Sequence, residues 1–161
     1  MKTLSQIFGI IAFALFIQCT PEATTGNEKV YIKHTYDFKA NETELIDLVN
    51  QYRAGYGLNR LETVEHAAYL AHEHNQYMMT NNVVAHTGFV ERADNLKTTE
   101  NAMRVSENIA YGLRTNEGVI KAWNESEGHQ KTLVGDFTHI GLAITTNNDN
   151  KTYVTAIFLK K

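Results

Sequence analysis

Residues 106–112 read Ser-Glu-Asn-Ile-Ala-Tyr-Gly, and Glu107 is the one carboxylate in a stretch that is otherwise small, apolar or aromatic. A glutamate in such company is rarely buried without a partner. The partner decides the chemistry: the carboxylate can orient an imidazole, help hold a metal ion, or take a proton from water. Seven histidines are available as company. His66, His72 and His74 share one helical stretch, but 72 and 74 lie about 200° apart on a helix and cannot share a ligand. None of the three has another histidine four residues on, so they read as surface or packing residues. Ser106 and Ser126 lack the local signature of an activated nucleophile.

The elements that must position Glu107 follow from hydrophobic spacing. Asn41-Glu42-Thr43-Glu44 fits a helix cap with a glutamate three residues on. Leu45, Leu48, Val49 and Tyr52 then mark one helical face, and Gly55 and Gly57 end it. Thr63 to Thr80 is a second helix with a small-residue face at Val64, Ala67, Ala68 and Ala71. A loop over 81–88 carries His86, and 89–99 includes a short helix. A third helix spans 116–124, capped by Thr115, with Val119, Ile120 and Trp123 on its buried side. Residues 130–133 add one more turn. Runs 138–146 and 151–160 flank Asn147-Asn148-Asp149-Asn150 and predict an antiparallel hairpin. Ile140, Leu142 and Ile144 share one of its faces, yet Ala143, Tyr153 and Ile157 on the other are also apolar or aromatic, so helices are expected on both sides. Helices first and a hairpin last imply an α+β domain.

The composition restricts the function. The chain has 161 residues, 43% hydrophobic and 20% charged, with a formal charge of −3. No basic stripe is present, which excludes nucleic acid as the main partner. A core of ~120 residues buries roughly two-thirds of its unfolded surface, so no disulfide or metal is required for folding. The single cysteine, Cys19, cannot form an intrachain disulfide.

One lysine followed by an apolar run from Ile7 to Ile17 fits a secretory signal, and the run is shorter than the ~20 residues of a membrane span. Cys19 at its end resembles a bacterial lipoprotein processing site, although Phe16-Ile17-Gln18 departs from the usual box at Gln18. Residues 1–18 are therefore expected to be a signal peptide and Cys19 the lipidated residue. Residues 19–40 form a tether whose part 30–38 is either a strand or a docked segment, and 41–161 are the folded domain. The expected location is extracytoplasmic, anchored to a bacterial envelope by lipid or else secreted.

The phrases Leu-Val-Asn-Gln-Tyr-Arg at 48–53, Ala-His-Thr-Gly-Phe at 85–89, Ser-Glu-Asn-Ile-Ala-Tyr-Gly at 106–112, Ala-Trp-Asn-Glu-Ser-Glu-Gly-His-Gln at 122–130 and Phe-Thr-His-Ile-Gly-Leu-Ala-Ile at 137–144 occur in one order. Together they resemble the CAP superfamily: the cysteine-rich secretory, antigen 5 and plant pathogenesis-related 1 proteins, here in a bacterial, disulfide-free branch. The resemblance covers residues ~41–161. It implies a three-layer α-β-α sandwich with a central antiparallel sheet, and a cleft lined by two histidines and two acidic residues. His86 matches the first histidine, Glu107 the first glutamate, and His129 the histidine of the bacterial branch. The second histidine of eukaryotic members falls at Asp136 and their second glutamate at Ser126, flanked by Glu125 and Glu127. Glu125, Glu127 and Asp136 are thus the candidates for a fourth cleft residue.

In some members the histidine pair holds a divalent metal, which implies Zn²⁺ or another divalent ion on His86 and His129, supported by Glu107. The gaps of 21 and 22 residues between these three carry no local ligand geometry; only the fold can bring them together. Three readings follow. The domain binds a small ligand, lipid or peptide in this cleft; or it is a metal-dependent hydrolase with Glu107 as candidate base; or the cluster is a scaffold without turnover. The fold alone does not choose.

Overall fold

The computed structural model describes residues 29–161; residues 1–18, expected to be a signal peptide, Cys19 and residues 20–28 lie outside the described part. The elements are α1 (Ala40–Ala54), β1 (Glu62–Thr63), α2 (Glu65–Asn81), α3 (Phe89–Glu100), β2 (Arg104–Tyr111), α4 (Asn116–Glu125), α5 (Glu127–Leu133), β3 (His139–Thr146) and β4 (Thr152–Lys160). The strands form one sheet in the order β1-β3-β4-β2. β4 is antiparallel to both β3 and β2, while the two-residue β1 runs parallel to β3, with Glu62 opposite His139. The expected α-β-α sandwich is present, with one short parallel strand added at its edge.

The hairpin forms because Asn147 closes it: its side-chain oxygen accepts from the backbone N–H of Asp149 at 3.0 Å and of Lys151 at 2.8 Å. Ile140, Leu142 and Ile144 of β3 and Val154, Ala156 and Phe158 of β4 face one layer. There they meet Leu45, Ile46 and Val49 of α1, Val119 and Trp123 of α4, and Leu133 of α5. Ala143, Ile157 and Leu159 face the opposite layer and meet Ala67 and Ala71 of α2 and Leu96 of α3. Both sheet faces are covered, so the strands lack a polar side. That is why β2 has no alternating signature: residues 107–110 are buried whichever way they point.

α2 sits directly on β3. A Cβ placed on Gly141 would lie 2.3 Å from the Ala68 amide nitrogen and 2.4 Å from the Ala67 carbonyl carbon, and backbone cannot step aside as a side chain can. Gly141→Ala is expected to destabilise the protein by about 1–3 kcal/mol through overpacking. A denaturant titration should show a lower midpoint at unchanged slope; an unchanged midpoint would contradict this seating of α2.

α1 begins earlier than the Asn41 cap suggests. Glu42 is fully buried and accepts from the Lys39 N–H at 2.8 Å, the Tyr36 hydroxyl at 2.8 Å and the Ile144 N–H at 2.9 Å. Glu42, not Glu44, is the capping carboxylate, because the same side chain also satisfies a strand amide and a tyrosine. Thr115 caps α4 as expected, accepting from the Gly118 N–H at 3.1 Å. α5 starts at Glu127, three residues before the expected turn.

Residues 29–39 form neither helix nor strand but are docked as a strap over α2 and α3. Lys33 Nζ lies 2.6 Å from Glu100, a carboxylate almost wholly buried at the end of α3. The His34 ring stacks on Tyr69 at 4.1 Å, and the His34 N–H donates to His66 Nδ1 at 3.1 Å.

Candidate functional site

Glu107 lies on β2, the edge strand, paired on one side with Ile157 of β4. Its side chain turns toward the α2–α3 layer and is 1% exposed. Arg92, from the first turn of α3, closes over it. Arg92 Nε donates to Oε2 and Nη2 to Oε1, each at 2.9 Å, a two-point contact of guanidinium and carboxylate. Arg92 Nη1 also donates to the Thr87 carbonyl at 2.8 Å, which ties the α2–α3 loop to the same residue. Gly88 permits this approach: its φ is +75°, and a Cβ there would lie 3.3 Å from Arg92 Nη1.

His86 sits on that loop. Its Nδ1 is 2.9 Å from Glu107 Oε1. A carboxylate engaged by a guanidinium is an acceptor, so Nδ1–H is the donor and Nε2 carries the free lone pair. The imidazole is half exposed. His74 of α2, buried, lies under the loop with its Nε2 2.9 Å from the Ala85 carbonyl, so it donates there and fixes the residue before His86. Burial pushes the His74 pKa down, and the nearby Arg92 charge adds to this.

The residue next to Glu107 reaches the other way. Asn108 points into the α5 layer and donates from Nδ2 to the His129 carbonyl at 3.0 Å. Adjacent residues of one edge strand thus hold the two histidines from opposite faces of the sheet: Glu107 the His86 ring, Asn108 the backbone of His129. His129 is half-buried in the first turn of α5. Burial depresses its pKa, and the positive form of His86 depresses it further. Replacing His86 by alanine is expected to raise the His129 pKa toward its ordinary value. Proton NMR of the ring resonances would read the shift; an unaltered His129 titration would separate the two rings.

The other three sequence candidates are placed elsewhere. Glu125 and Glu127 are exposed and face Lys121 at 3.9 Å and Lys131 at 2.6 Å, one helical turn away in each case. Asp136 lies on the α5–β3 loop, 2.7 Å from Lys160, while its carbonyl takes a bond from Arg104. Hydrogen bonding to Lys160 is the main cause that holds the Asp136 pKa down. The structure brings His86, Glu107 and His129 to one edge and leaves these three acids in surface ion pairs.

The donor set does not fit a resident divalent metal. Glu107 is sealed and engaged with Arg92, whose positive charge opposes a dication, and two imidazoles remain. Among the described residues no group of three or more His, Cys, Asp or Glu side chains is arranged to hold an ion. Zinc sites take at least three protein ligands.

Sequence reasoning missed Arg92, His74 and Asn108. The one available signal was physical: a carboxylate expected to be buried calls for a cation, and 89–99 supplies Arg92 as its only arginine.

A mixed sheet between two helical layers, with a buried glutamate on its edge strand bound to a half-exposed imidazole, defines the class of α-β-α sandwich domains suggested by the sequence phrases. The family model for CAP, the cysteine-rich secretory protein family, matches residues 46–158, and the chain belongs to that family. Two Bacillus subtilis proteins are also similar to it. The membrane protein YlbC is 30% identical over 125 residues, 75% of this chain and 35% of its own length. YkwD is 35% identical over 107 residues, 64% of this chain and 42% of its own. The chain thus spans well under half of either relative. Among solved structures, an extracellular SCP-domain protein of Bacillus anthracis superposes with a TM-score of 0.64 at 26% identity, covering 75% of this chain and 40% of that one. An outer surface protein of Borrelia burgdorferi gives a TM-score of 0.70 at 24% identity, covering 81% of this chain and 99% of that one, and shares the fold.

Proposed function

We propose that this CAP domain is an extracytoplasmic binding module, held at a bacterial envelope through Cys19. It takes a small ligand, a lipid or a peptide at the β2 edge between His86 and His129. The observation that carries the reading is the Arg92–Glu107–His86 chain. Both Glu107 oxygens are engaged and the side chain is 1% exposed, so it has no surface with which to meet a ligand or activate water. What it does is fix the His86 tautomer, leaving Nε2 as the free acceptor of a half-exposed ring. Such an acceptor suits a ligand that carries hydrogen-bond donors. The location rests on the signal-like N-terminus and on relatives that are outer-surface, extracellular or membrane proteins.

Ring ¹⁵N spectra of His86 and His129 would test this, recorded with three probes: a muropeptide, a short-chain phosphatidylglycerol and a tripeptide. At least one probe should move both rings in the native protein, and the response should weaken in Glu107→Gln. If none of the three moves either ring, the binding reading fails. If peptidoglycan or casein is cleaved and the cleavage stops in His86→Ala, the protein is an enzyme and the reading is replaced by the hydrolase one.

A further inference from the structure

The strap determines where the chain leaves the domain. Lys33 is held at the C-terminal end of α3 by Glu100, and Lys29 Nζ reaches Glu91, near the N-terminal end of α3, at 2.7 Å. Lys29, the first described residue, is therefore tied to the N-terminal end of α3. A groove of about 280 Å³ opens there between α2 and α3, lined by Leu70, His74, Tyr77, Thr87, Gly88 and Arg92 together with the carboxylates Glu73 and Glu91. Tyr77 lines it, and three exposed valines lie on the segments that lead to it. Val30 follows the strap lysine, Val90 precedes Glu91, Val84 lies on the loop that carries His86, and Tyr77 projects from α2. All four are exposed, and they make up half of the eight exposed large hydrophobic residues among those described. Such grouping marks a contact surface, whereas singly scattered residues need no explanation.

We infer that this end of the α2–α3 layer is a membrane-contacting face whose partner is the interfacial region of a lipid bilayer, and that the His86 edge is thereby held at the membrane surface. The inference rests on the reading that Cys19 carries the lipid anchor. Cys19 and Lys29 are ten residues apart, which spans at most about 35 Å. A domain of this size has a radius of gyration of about 14 Å and is about 36 Å across. To turn the α1–α4 layer toward the bilayer, the tether would have to follow half the circumference, about 57 Å by the same estimate. It is too short for that layer, and among the faces within its reach the one beside the exit point carries the exposed Val30, Val84, Val90 and Tyr77. Lys29 and Glu91 neutralise each other at this face, so association is driven by burial of Val30, Val84, Val90 and Tyr77 and does not depend on anionic lipid. A ligand reaching the two imidazoles would then arrive along the membrane plane.

Cys19 is the only cysteine in the chain, which supplies the test. The chain from Cys19 to Lys161 can be coupled through that thiol to a maleimide lipid in phosphatidylcholine vesicles, whether or not a cell lipidates it. Hydrogen exchange is then compared with the same chain capped by a soluble maleimide and mixed with plain vesicles. Exchange should slow in residues 29–33 and 77–92 on anchoring, remain unaltered in 40–56, and be insensitive to added phosphatidylglycerol. Val84→Asp/Val90→Asp, at two exposed positions, should abolish the protection with the melting temperature unchanged. Equal exchange throughout, protection of α1 instead, or protection that survives the aspartates would overturn the inference. The mass of Cys19 from envelope material tests the premise separately: an unmodified thiol would remove the anchor, and with it the proposed orientation, whatever the exchange experiment showed.

Discussion

Replacing Arg92 by leucine should lower unfolding stability by about 3–5 kcal/mol, the cost of leaving one member of a buried ion pair without its partner. For a domain stabilised by about 5–15 kcal/mol in total, that is a large fraction. The cost arises at Glu107. Its side chain is 1% exposed, its two oxygens are satisfied by Arg92 and His86, and it sits on a strand whose neighbours Asn108, Ile109 and Ala110 are buried. With the guanidinium gone, the carboxylate has one imidazole and almost no water. The decisive variant is the double one. Arg92→Met with Glu107→Leu removes both charges and fills the space with apolar atoms, and such replacements are often neutral or stabilising. It should recover most of the loss in a denaturant titration while His86 loses the acceptor that sets its tautomer, which imidazole ¹⁵N shifts would report. Stability and site geometry then separate when the native protein is compared with the single and the double variant. A single-variant cost below about 1 kcal/mol, the range of exposed pairs, would mean that Glu107 is hydrated and that the arrangement described is wrong.

How much of this was legible beforehand depended on the range over which each feature acts. The α1, α2 and α4 helices, the hairpin and the burial of Trp123 rest on local spacing, and local spacing is written in the sequence. Trp123 follows the expected pattern down to its indole N–H, which donates to the Ile109 carbonyl at 2.9 Å. β2 was not legible because a strand covered on both faces and exposed along one edge has no periodic signal. Arg92 is 15 residues from Glu107 on another element, and nothing in a single sequence pairs them. Glu125 and Glu127 stand beside the right histidine in sequence, but one ends α4 and the other begins α5, and each projects toward a lysine one turn away. Proximity along the chain was a poor guide there, since direction at a helix junction depends on the turn between the helices. Glu42 and Glu44 differ for a related reason: both fit a capping pattern, and the choice was made by the amide of Ile144, 102 residues away.

Acidification should destabilise the protein well before its carboxylates protonate. His66 and His74 are buried, at 0% and 2% exposure, and burial is the first cause that pushes both pKa values down. The geometry demands the neutral forms. His66 Nδ1 accepts the His34 N–H while Nε2 donates to Asn95 on α3, so both nitrogens are committed and a second ring proton would expel the strap. The charges facing His66 are Lys33 and His34 from the strap, which oppose its protonation, and Glu100 from α3, which favours it. Those facing His74 are Arg92 and His86, which oppose, and Glu107, which favours. A histidine whose folded pKa is depressed binds more protons when unfolded, so stability rises with pH wherever the two states differ. The contribution is complete above the ordinary value near 6.5 and is lost as pH falls below it, until the depressed pKa is reached. Each imidazole that stays neutral gives a slope of up to about 1.4 kcal/mol per pH unit in that window. Denaturant titrations from about pH 7.5 down to about pH 5, the interval in which histidine changes charge, should therefore show a falling midpoint. The His66→Gln/His74→Gln variant should show a flatter dependence over the same interval, even if its stability at neutral pH is lower. Glu100 and Asp136, whose pKa values are held below those of free carboxylates, contribute their own acid sensitivity only at lower pH. A native profile that stays level through the histidine window would show that His66 accepts a proton without giving up the His34 N–H, and that His74 accepts one on Nδ1, which is buried without a hydrogen-bond partner, and the strap would then need a different account of what fixes it.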